Sequence, residues 1–171
     1  MFATVFLVSC EDDPCKGIVC AYSGTCVEGG CKCQVGYEGV HCETVMRDKF
    51  VGIWNVNEDG TLSSFDQYPS YIEAHSSLKV NEVWLRNLQN KISEPVVATV
   101  LGDSITIPKQ VVQGNTVEGF GRIVSTNGLD QHYYQHATIE LWYYVIDAQG
   151  LRNEYGFPED GDDGVLSKWA K

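Results

Sequence analysis

The sequence has no cysteine after Cys42, because all seven of its cysteines lie between Cys10 and Cys42. The two parts of the 171-residue chain must therefore be stabilised in different ways. The first part, of about forty residues, is too short to bury an adequate core and needs cross-links. The cysteine-free remainder, from Thr44 to Lys171, is long enough to fold around its own hydrophobic core. The cysteine distribution therefore predicts two parts.

Basic residues are also scarce, with 12 Lys and Arg against 23 Asp and Glu and a net charge of −11. Both parts are acidic: Cys10 to Glu43 holds six acidic and two basic residues, and Thr44 to Lys171 holds seventeen and ten. Nucleic-acid binding depends on Lys and Arg that displace counterions from phosphates, and adsorption to anionic lipid needs the same residues. The composition excludes nucleic acid as a partner and requires any membrane attachment to be covalent.

Long hydrophobic runs are missing as well. The run from Phe2 to Val8 is apolar except for Thr4, but about nine helical residues reach only ~13 Å, against a hydrocarbon core of ~30 Å. This run is therefore too short for a transmembrane helix. It has the character of the end of a secretory signal.

The run ends in Leu7-Val8-Ser9-Cys10, which resembles the lipobox of bacterial lipoproteins. The resemblance implies that residues 1–9 are a signal peptide, that cleavage occurs before Cys10, and that the Cys10 sulfur carries diacylglycerol. The odd cysteine count agrees, since acylation would use the one thiol that six paired cysteines leave over. The alternative is a chance apolar start with a free Cys10 thiol.

Residues 10–14 form an acidic linker that contains Glu11-Asp12-Asp13. This run resembles the signal that sends some Gram-negative lipoproteins to the outer face of the outer membrane, and the alternative is a simple solvated linker. With the lipobox, it predicts a lipid-anchored protein of the bacterial outer membrane, exposed at the cell surface.

The remaining six cysteines follow the spacing C-x4-C-x5-C-x4-C-x-C-x8-C and end in Gly36-Tyr37-Glu38-Gly39-Val40-His41-Cys42. Residues 15–43 thus resemble an EGF-like module, which implies three disulfides: Cys15–Cys26, Cys20–Cys31 and Cys33–Cys42. No calcium site is expected, because Val27-Glu28-Gly29-Gly30 lacks the Asn or Asp that calcium-binding modules place there. The module is either a rigid spacer or a recognition surface.

From Phe50 onward, short β-rich runs alternate with turn residues, which is typical of an all-β meander, barrel or sandwich. Strands are predicted near 49–57, 70–77, 79–88, 95–101, 104–108, 116–126, 136–147 and 164–170. Turns are predicted at Glu58-Asp59-Gly60, Gly102-Asp103, Gln113-Gly114-Asn115, Asn127-Gly128 and Asp147-Ala148-Gln149-Gly150. No segment has a sustained helical period, so a parallel α/β fold is excluded.

Two details suggest a closed sheet. The strand around Thr138 carries large apolar residues on both faces, as expected of a strand that is covered on both sides. Gly119 and Gly121 alternate within another strand and indicate close backbone approach or strong coiling.

The start Phe50-Val51-Gly52-Ile53-Trp54 resembles the G-x-W opening of lipocalins and related calycin barrels. The stretches 84–88 and 97–108 resemble the lipocalin-like domains of Gram-negative surface lipoproteins. The resemblance implies that residues 47–171 form an antiparallel meander barrel of about eight strands, wide enough for packed side chains or one small ligand. It also implies that Trp54 plugs the base beneath a basic residue of the last strand, for which the sequence offers Lys168.

Catalytic, cofactor and metal sites are not expected. His132 and His136 would stand about 13 Å apart on an extended chain, too far to share one ion. His75 beside Glu73 is read as a polar contact, and the acidic cluster from Glu159 to Gly164 lacks the spacing of a calcium loop. Ser104 and Ser125 have no nucleophile setting.

Aromatic residues are the remaining signal, because rings can line a sugar or lipid pocket or simply fill a core. The candidate ligand-facing residues are Trp84, Tyr133, Tyr134, Trp142, Tyr143 and Tyr144. The leading hypothesis is a non-enzymatic lipoprotein whose barrel binds a small apolar or glycan ligand or a partner. The alternative is an adhesion protein that recognises protein or glycan through outer β surfaces and the EGF-like module.

Overall fold

The computed structural model describes residues 13–74, 79–124, 137–157 and 167–171. Strands dominate these ranges, and their helical element is a single turn of 3-10 helix, Met46–Lys49. No helix in the described ranges is long and apolar enough to cross a membrane. The predicted signal peptide, residues 1–9, and the predicted lipidation site, Cys10, lie outside the described residues.

Residues 13–45 form a disulfide-rich unit, here called the disulfide module. Its disulfides join Cys15 to Cys26, Cys20 to Cys31, and Cys33 to Cys42, the same pairs that the EGF resemblance implies. Two small antiparallel pairs complete it: β1 (Thr25–Val27) with β2 (Gly30–Lys32), and β3 (Tyr37–Glu38) with β4 (Thr44–Val45). Within this unit as described, Cys42 is the only fully buried hydrophobic residue. Cross-links therefore replace the missing core.

The rest of the described chain is a closed antiparallel barrel. Its strands are β5 (Gly52–Gly60), β6 (Ser63–Glu73), β7 (Glu82–Arg86), β8 (Val96–Leu101), β9 (Ser104–Val112), β10 (Asn115–Val124), β11 (Thr138–Ile146), β12 (Arg152–Tyr155) and β13 (Ser167–Ala170). From β5 to β11 each strand pairs with the next, and β12 and β13 lie between β11 and β5. The all-β class and the barrel of eight strand positions are thereby confirmed.

Two short strands share the eighth position of the barrel. In β12, Tyr155 pairs with Tyr143 of β11. In β13, Ser167 pairs with Leu141, which lies two residues before Tyr143 in β11. Between them, Gly156 has a φ of +79° and Phe157 meets Phe120 on the outer face with ring centroids 6.3 Å apart. The chain therefore leaves the barrel sheet after Tyr155, and Phe157 lies on the outer face.

The predicted turn at Glu58-Asp59-Gly60 is wrong. Strand β5 continues to Gly60 through a register shift after Glu58, and the turn lies at Thr61 and Leu62. Asp and Gly favour turns, but a β-bulge accommodates them equally well. As a result β6 begins at Ser63, seven residues before the predicted strand near 70.

Two further strand boundaries depart from the prediction. Strand β9 runs past Pro108 because a bulge opposite Glu118 absorbs the proline, and the Gln110 amide binds the Val97 N–H and carbonyl at 3.0 and 2.7 Å. Strand β12 was not predicted, since Asn and Glu are depleted in strands. It forms because its residues hydrogen-bond to the β5–β6 turn.

The close approach predicted at the alternating glycines is confirmed. A Cβ at Gly119 would collide with the Cβ of Tyr143, and one at Gly121 would collide with the Glu140 carbonyl oxygen. Both glycines belong to β10 and face β11, where the sheet curves to close the barrel.

The base of the barrel, the end where β5 begins, is filled by large apolar side chains. Trp54, Trp169 and Phe50 are fully buried, and the Trp54 indole donates to the Phe50 carbonyl at 2.7 Å. The cation above the Trp54 ring is Lys171, whose Nζ lies 4.8 Å from the ring centroid. Lys168, the residue expected there, is exposed, because in β13 it alternates with the inward-facing Trp169.

The disulfide module packs against this base. Lys49, only 7% exposed, forms ion pairs with Glu38 of the module at 3.0 Å and with Asp103 of the β8–β9 turn at 2.8 Å. Arg47 Nη1 donates to the carbonyls of Lys79 and Glu82 at 3.1 and 3.4 Å. Lys49 therefore joins the module to the base through two part-buried ion pairs, and Arg47 fixes the 3-10 turn to the barrel.

Candidate functional site

The opposite end of the barrel is open. A cavity of about 400 Å³, here called the mouth cavity, lies among the turns that connect the strands there. It is lined by Leu62, Ser63, Gln89, Lys91, Ile92, Gln113, Asn115, Val145, Asp147, Leu151 and Asn153. Amide, hydroxyl and charged groups alternate with aliphatic ones, as in sites that orient a small polar ligand.

Three residues that line the mouth cavity, Ser63, Gln89 and Asn153, are joined by hydrogen bonds to the hydroxyl of Tyr155. Its hydroxyl accepts from Gln89 Nε2 at 2.8 Å and from Asn153 Nδ2 at 2.7 Å, which leaves its proton to donate to Ser63 Oγ at 3.2 Å. Asn153 Oδ1 in turn accepts from the Leu62 N–H at 2.9 Å. These internal hydrogen bonds hold the polar side chains of the lining in place without a ligand.

A second cavity of about 180 Å³ shares Ser63, Gln89 and Lys91 with the first. We call it the Glu58 recess. It is lined by Glu58, Ser63, Ser64, Phe65, Asp66, Tyr68, Gln89, Lys91 and Tyr155. The two cavities therefore adjoin, and the lining of the second includes the buried carboxylate of Glu58.

Glu58 is 2% exposed and is held by three hydroxyl groups. Its Oε1 accepts from Tyr68 and, at 2.8 Å, from Tyr143, and its Oε2 accepts from Ser167 at 2.7 Å. Tyr143 also stacks on Tyr155, with ring centroids 4.7 Å apart. The carboxylate therefore connects four strands around the break between β12 and β13.

Burial raises the pKa of Glu58, and the nearby Asp66 carboxylate raises it further, against the lowering effect of the three hydroxyl donors. Burial likewise raises the pKa of Tyr68 and of Tyr143, and the charge of Glu58 adds to both shifts. The tyrosines therefore remain hydroxyl donors at every physiological pH.

The structure separates the predicted ligand-facing aromatics. Tyr143 lies inside the barrel beneath the recess, whereas Trp84, Trp142 and Tyr144 project from its outer face as partly exposed residues. Tyr133 and Tyr134 lie outside the described residues. Gly52 and Trp54 are both at the base, far along β5 from the mouth.

The outer aromatics form a cluster of their own. Trp142 stacks on Phe120 with ring centroids 5.5 Å apart, and Phe120 is 54% exposed. Arg122 lies 5.9 Å from the Trp142 centroid and pairs with Glu140 at 2.7 Å. Here called the outer aromatic cluster, this patch of Phe120, Trp142 and Phe157 is separate from the mouth.

The residues that shape the cavities were not among the predicted site residues. Glu58 was assigned to a turn, although Trp54, Val56 and Glu58 continue one period-two pattern that could have placed its side chain inside. Gln89, Asn153 and Tyr155 carried no such signal, since they converge from turns and from the unpredicted strand β12.

Metal binding finds no support in the described ranges, where no three His, Cys, Asp or Glu side chains form a metal-binding group. His75, His132, His136, Ser125 and the cluster from Glu159 to Gly164 fall outside them. Ser104, by contrast, is an exposed residue at the start of β9. Comparison of the chain with models of protein families and with curated proteins found no match.

Proposed function

We propose that this chain is a non-enzymatic binding protein that holds a small ligand in the mouth of its barrel. The observation that carries the proposal is the pair of connected cavities at the open end, of about 400 and 180 Å³. Volumes of a few hundred Å³ are typical of small-molecule sites. The polar lining favours a ligand with hydrogen-bonding groups over a purely apolar one.

The finer assignments belong to the same proposal. We take the disulfide module to be EGF-like and the barrel to be lipocalin-like, supported by the disulfide pairs and by Lys171 above Trp54 at the base. We take Cys10 to be acylated and the protein to be attached to the bacterial outer membrane, exposed on the cell surface. The module would then serve as the spacer, since it contacts the barrel at the base and leaves the mouth free.

Native mass spectrometry of the protein purified from its own membranes tests this proposal. The expected mass includes acyl groups on Cys10, three disulfides and a non-covalent adduct that is released chemically unchanged on unfolding. Leu151 is 59% exposed and lines the mouth cavity, so Leu151→Trp should displace the adduct without disturbing the core. An adduct that survives this substitution would place the ligand elsewhere, and a converted product would indicate an enzyme.

The outer aromatic cluster favours a second candidate, an adhesion protein that recognises protein or glycan through its outer β surface. Exposed aromatic residues are a common component of interaction surfaces. Phe120→Ala removes the most exposed ring of the cluster and leaves the mouth untouched. Loss of cell-surface binding in Phe120→Ala but not in Leu151→Trp would support the second candidate over the first.

A further inference from the structure

Two carboxylates face each other in the Glu58 recess. Glu58 of β5 and Asp66 of β6 are direct partners in the strand register, and both line the recess. Directly opposed like charges destabilise a strand pair. Glu58 is buried and Asp66 is exposed, so the pair places negative charge both inside the recess and at its edge.

No cation of the described chain neutralises this pair. Glu58 accepts only from hydroxyl groups, and Asp66 accepts from the Gln67 N–H at 2.8 Å and from Asn90 Nδ2 at 3.3 Å. Lys91 lines the recess, but in the described residues it forms no ion pair within 4.0 Å of either carboxylate. A buried carboxylate without a counter-ion is costly unless it is protonated or a cation binds.

The remaining lining suits an organic cation better than a metal ion. Tyr68, Tyr155 and Phe65 contribute rings, which attract a cation placed over their faces. Ser63 and Ser64 contribute hydroxyl oxygens that can accept from an ammonium group. A volume of about 180 Å³ admits a compact amine.

We propose that the Glu58 recess binds the ammonium group of a small cationic amine, with Glu58 as its counter-ion and the rest of the ligand in the mouth cavity. This inference rests on the proposed function and specifies its ligand class. An ammonium group brings the missing positive charge between the two carboxylates. The net charge of −11 favours the approach of a cation over that of an anion.

Proton linkage gives the proposal a distinctive signature. Burial and Asp66 raise the pKa of Glu58, so at any given acidic pH Glu58 of the free protein is protonated to a greater extent than an ordinary glutamate. A bound ammonium favours the ionised carboxylate and therefore displaces that proton. Amine affinity should fall as the pH falls through the raised pKa, and binding near that pH should release protons.

The test uses three probes of similar size and different charge: 2-phenylethylamine, neutral 2-phenylethanol and anionic 3-phenylpropanoate. Each is titrated into the full ¹⁵N-labelled chain, and shifts of the Gln89 and Asn153 side-chain amides report occupancy of the mouth. The amine should bind at least about tenfold more tightly than either other probe. Calorimetry in buffers of different ionisation enthalpy should detect proton release with the amine only.

Matched variants separate charge from shape. Glu58→Gln keeps an acceptor for Tyr68 and Tyr143 but removes the negative charge, so amine affinity should fall by about thirtyfold or more and its pH dependence should disappear. Lys91→Gln removes a positive charge from the same lining and should raise amine affinity about twofold to fivefold. The near-ultraviolet circular dichroism of both variants shows whether the aromatic packing is intact.

The possible results distinguish failure of the amine inference from failure of the proposed function. If the neutral or anionic probe binds the mouth as well as the amine, or Glu58→Gln binds the amine unchanged, the amine inference is overturned and the proposed function stands. If the anionic probe binds the mouth and Lys91→Gln weakens its binding, the lysine anchors an anionic ligand, and the amine inference is overturned. If none of the three probes shifts the mouth resonances, the amine inference is overturned, and the native adduct and its displacement by Leu151→Trp decide the proposed function separately.

Discussion

The two ends of the barrel are built from the same strands but for opposite purposes. At the base, Trp54, Trp169 and Phe50 fill the interior and the disulfide module packs against the outside. At the mouth, amide, hydroxyl and carboxyl groups line connected cavities. Strand β5 shows the change along one inner face, from Trp54 through Val56 to Glu58. We infer that the base supplies stability and the mouth supplies binding.

The difference between the two ends explains how the fold accommodates a buried carboxylate at Glu58. A buried carboxylate would be out of place among the apolar residues of the base, but near the mouth it is surrounded by hydroxyl donors from β6, β11 and β13. The Ser167 hydroxyl that donates to Glu58 also accepts from the Trp169 indole at 3.1 Å. The apolar and polar halves of the interior therefore meet at Ser167.

The largest expected effect is at the base. Trp54→Ala removes a fully buried indole, and such truncations cost about 3–5 kcal/mol of the free energy of unfolding. Leu151→Ala, at the mouth and 59% exposed, should cost less than about 0.5 kcal/mol. Guanidinium unfolding of both variants compares the two ends directly. Equal losses would show that stability is not concentrated at the base.

The next effect concerns the β10–β11 contact that closes the barrel. Gly119→Ala places a methyl group against the Tyr143 backbone and side chain, and overpacking of this kind costs about 1–3 kcal/mol. Gly30→Ala in the disulfide module is the matched control, because its nearest neighbour is the Val27 carbonyl oxygen at 3.8 Å. Thermal unfolding should show a lowered Tm for Gly119→Ala alone. A neutral Gly119→Ala would mean that the strands can separate at no cost.

The link between module and base has a smaller expected effect. Lys49→Met removes a buried ammonium, but Glu38 and Asp103 are exposed enough to regain water, so a loss of about 1–2 kcal/mol is expected. Lys79→Met breaks only the exposed pair with Glu82 and should cost about 0.5 kcal/mol or less. Limited proteolysis between module and barrel should accelerate in Lys49→Met only. Unchanged cleavage would show that the ion pairs do not hold the module in place.

The smallest expected effect is a pH dependence at the mouth. Because the folded-state pKa of Glu58 is raised above the ordinary value of 4.5, its contribution to stability is complete below pH 4.5 and is lost as the pH rises through the raised pKa. Glu58→Gln cannot ionise, so its free energy of unfolding should not show this decline. The measurement is the difference between the two proteins in urea unfolding as a function of pH. Parallel curves would mean that the Glu58 pKa is not raised.

Local sequence patterns predicted most strands and turns of the barrel, but not the bulge at Asp59 and Gly60 or strand β12. The alternation in β11, the alternating glycines and the turn at Gly102 and Asp103 depend on neighbours in sequence, and all three are found in the structure. The wrong turn at Glu58 came from reading Asp59 and Gly60 as turn residues when a bulge contains them. The unpredicted β12 depends on hydrogen bonds to residues some ninety positions away, which no local pattern encodes.

The candidate site was harder to predict for the same reason. Aromatic residues near β11 were expected to face one ligand, but alternation sends Tyr143 inward and Trp142 and Tyr144 outward. Which of these faces a cavity depends on the closure of the sheet and on Gln89, Asn153 and Tyr155, which converge from separate turns and strands. Sequence could identify the candidate rings but not their partners.

A chemical-shift map of the full ¹⁵N-labelled chain against a panel of cationic, neutral and anionic small fragments tests the central claim most directly. The account predicts that perturbations concentrate in the turns of the mouth, around Leu62, Gln89 and Leu151, and that Trp54 and Lys49 at the base do not respond. Perturbations confined to the base or to Phe120 and Trp142 would contradict it.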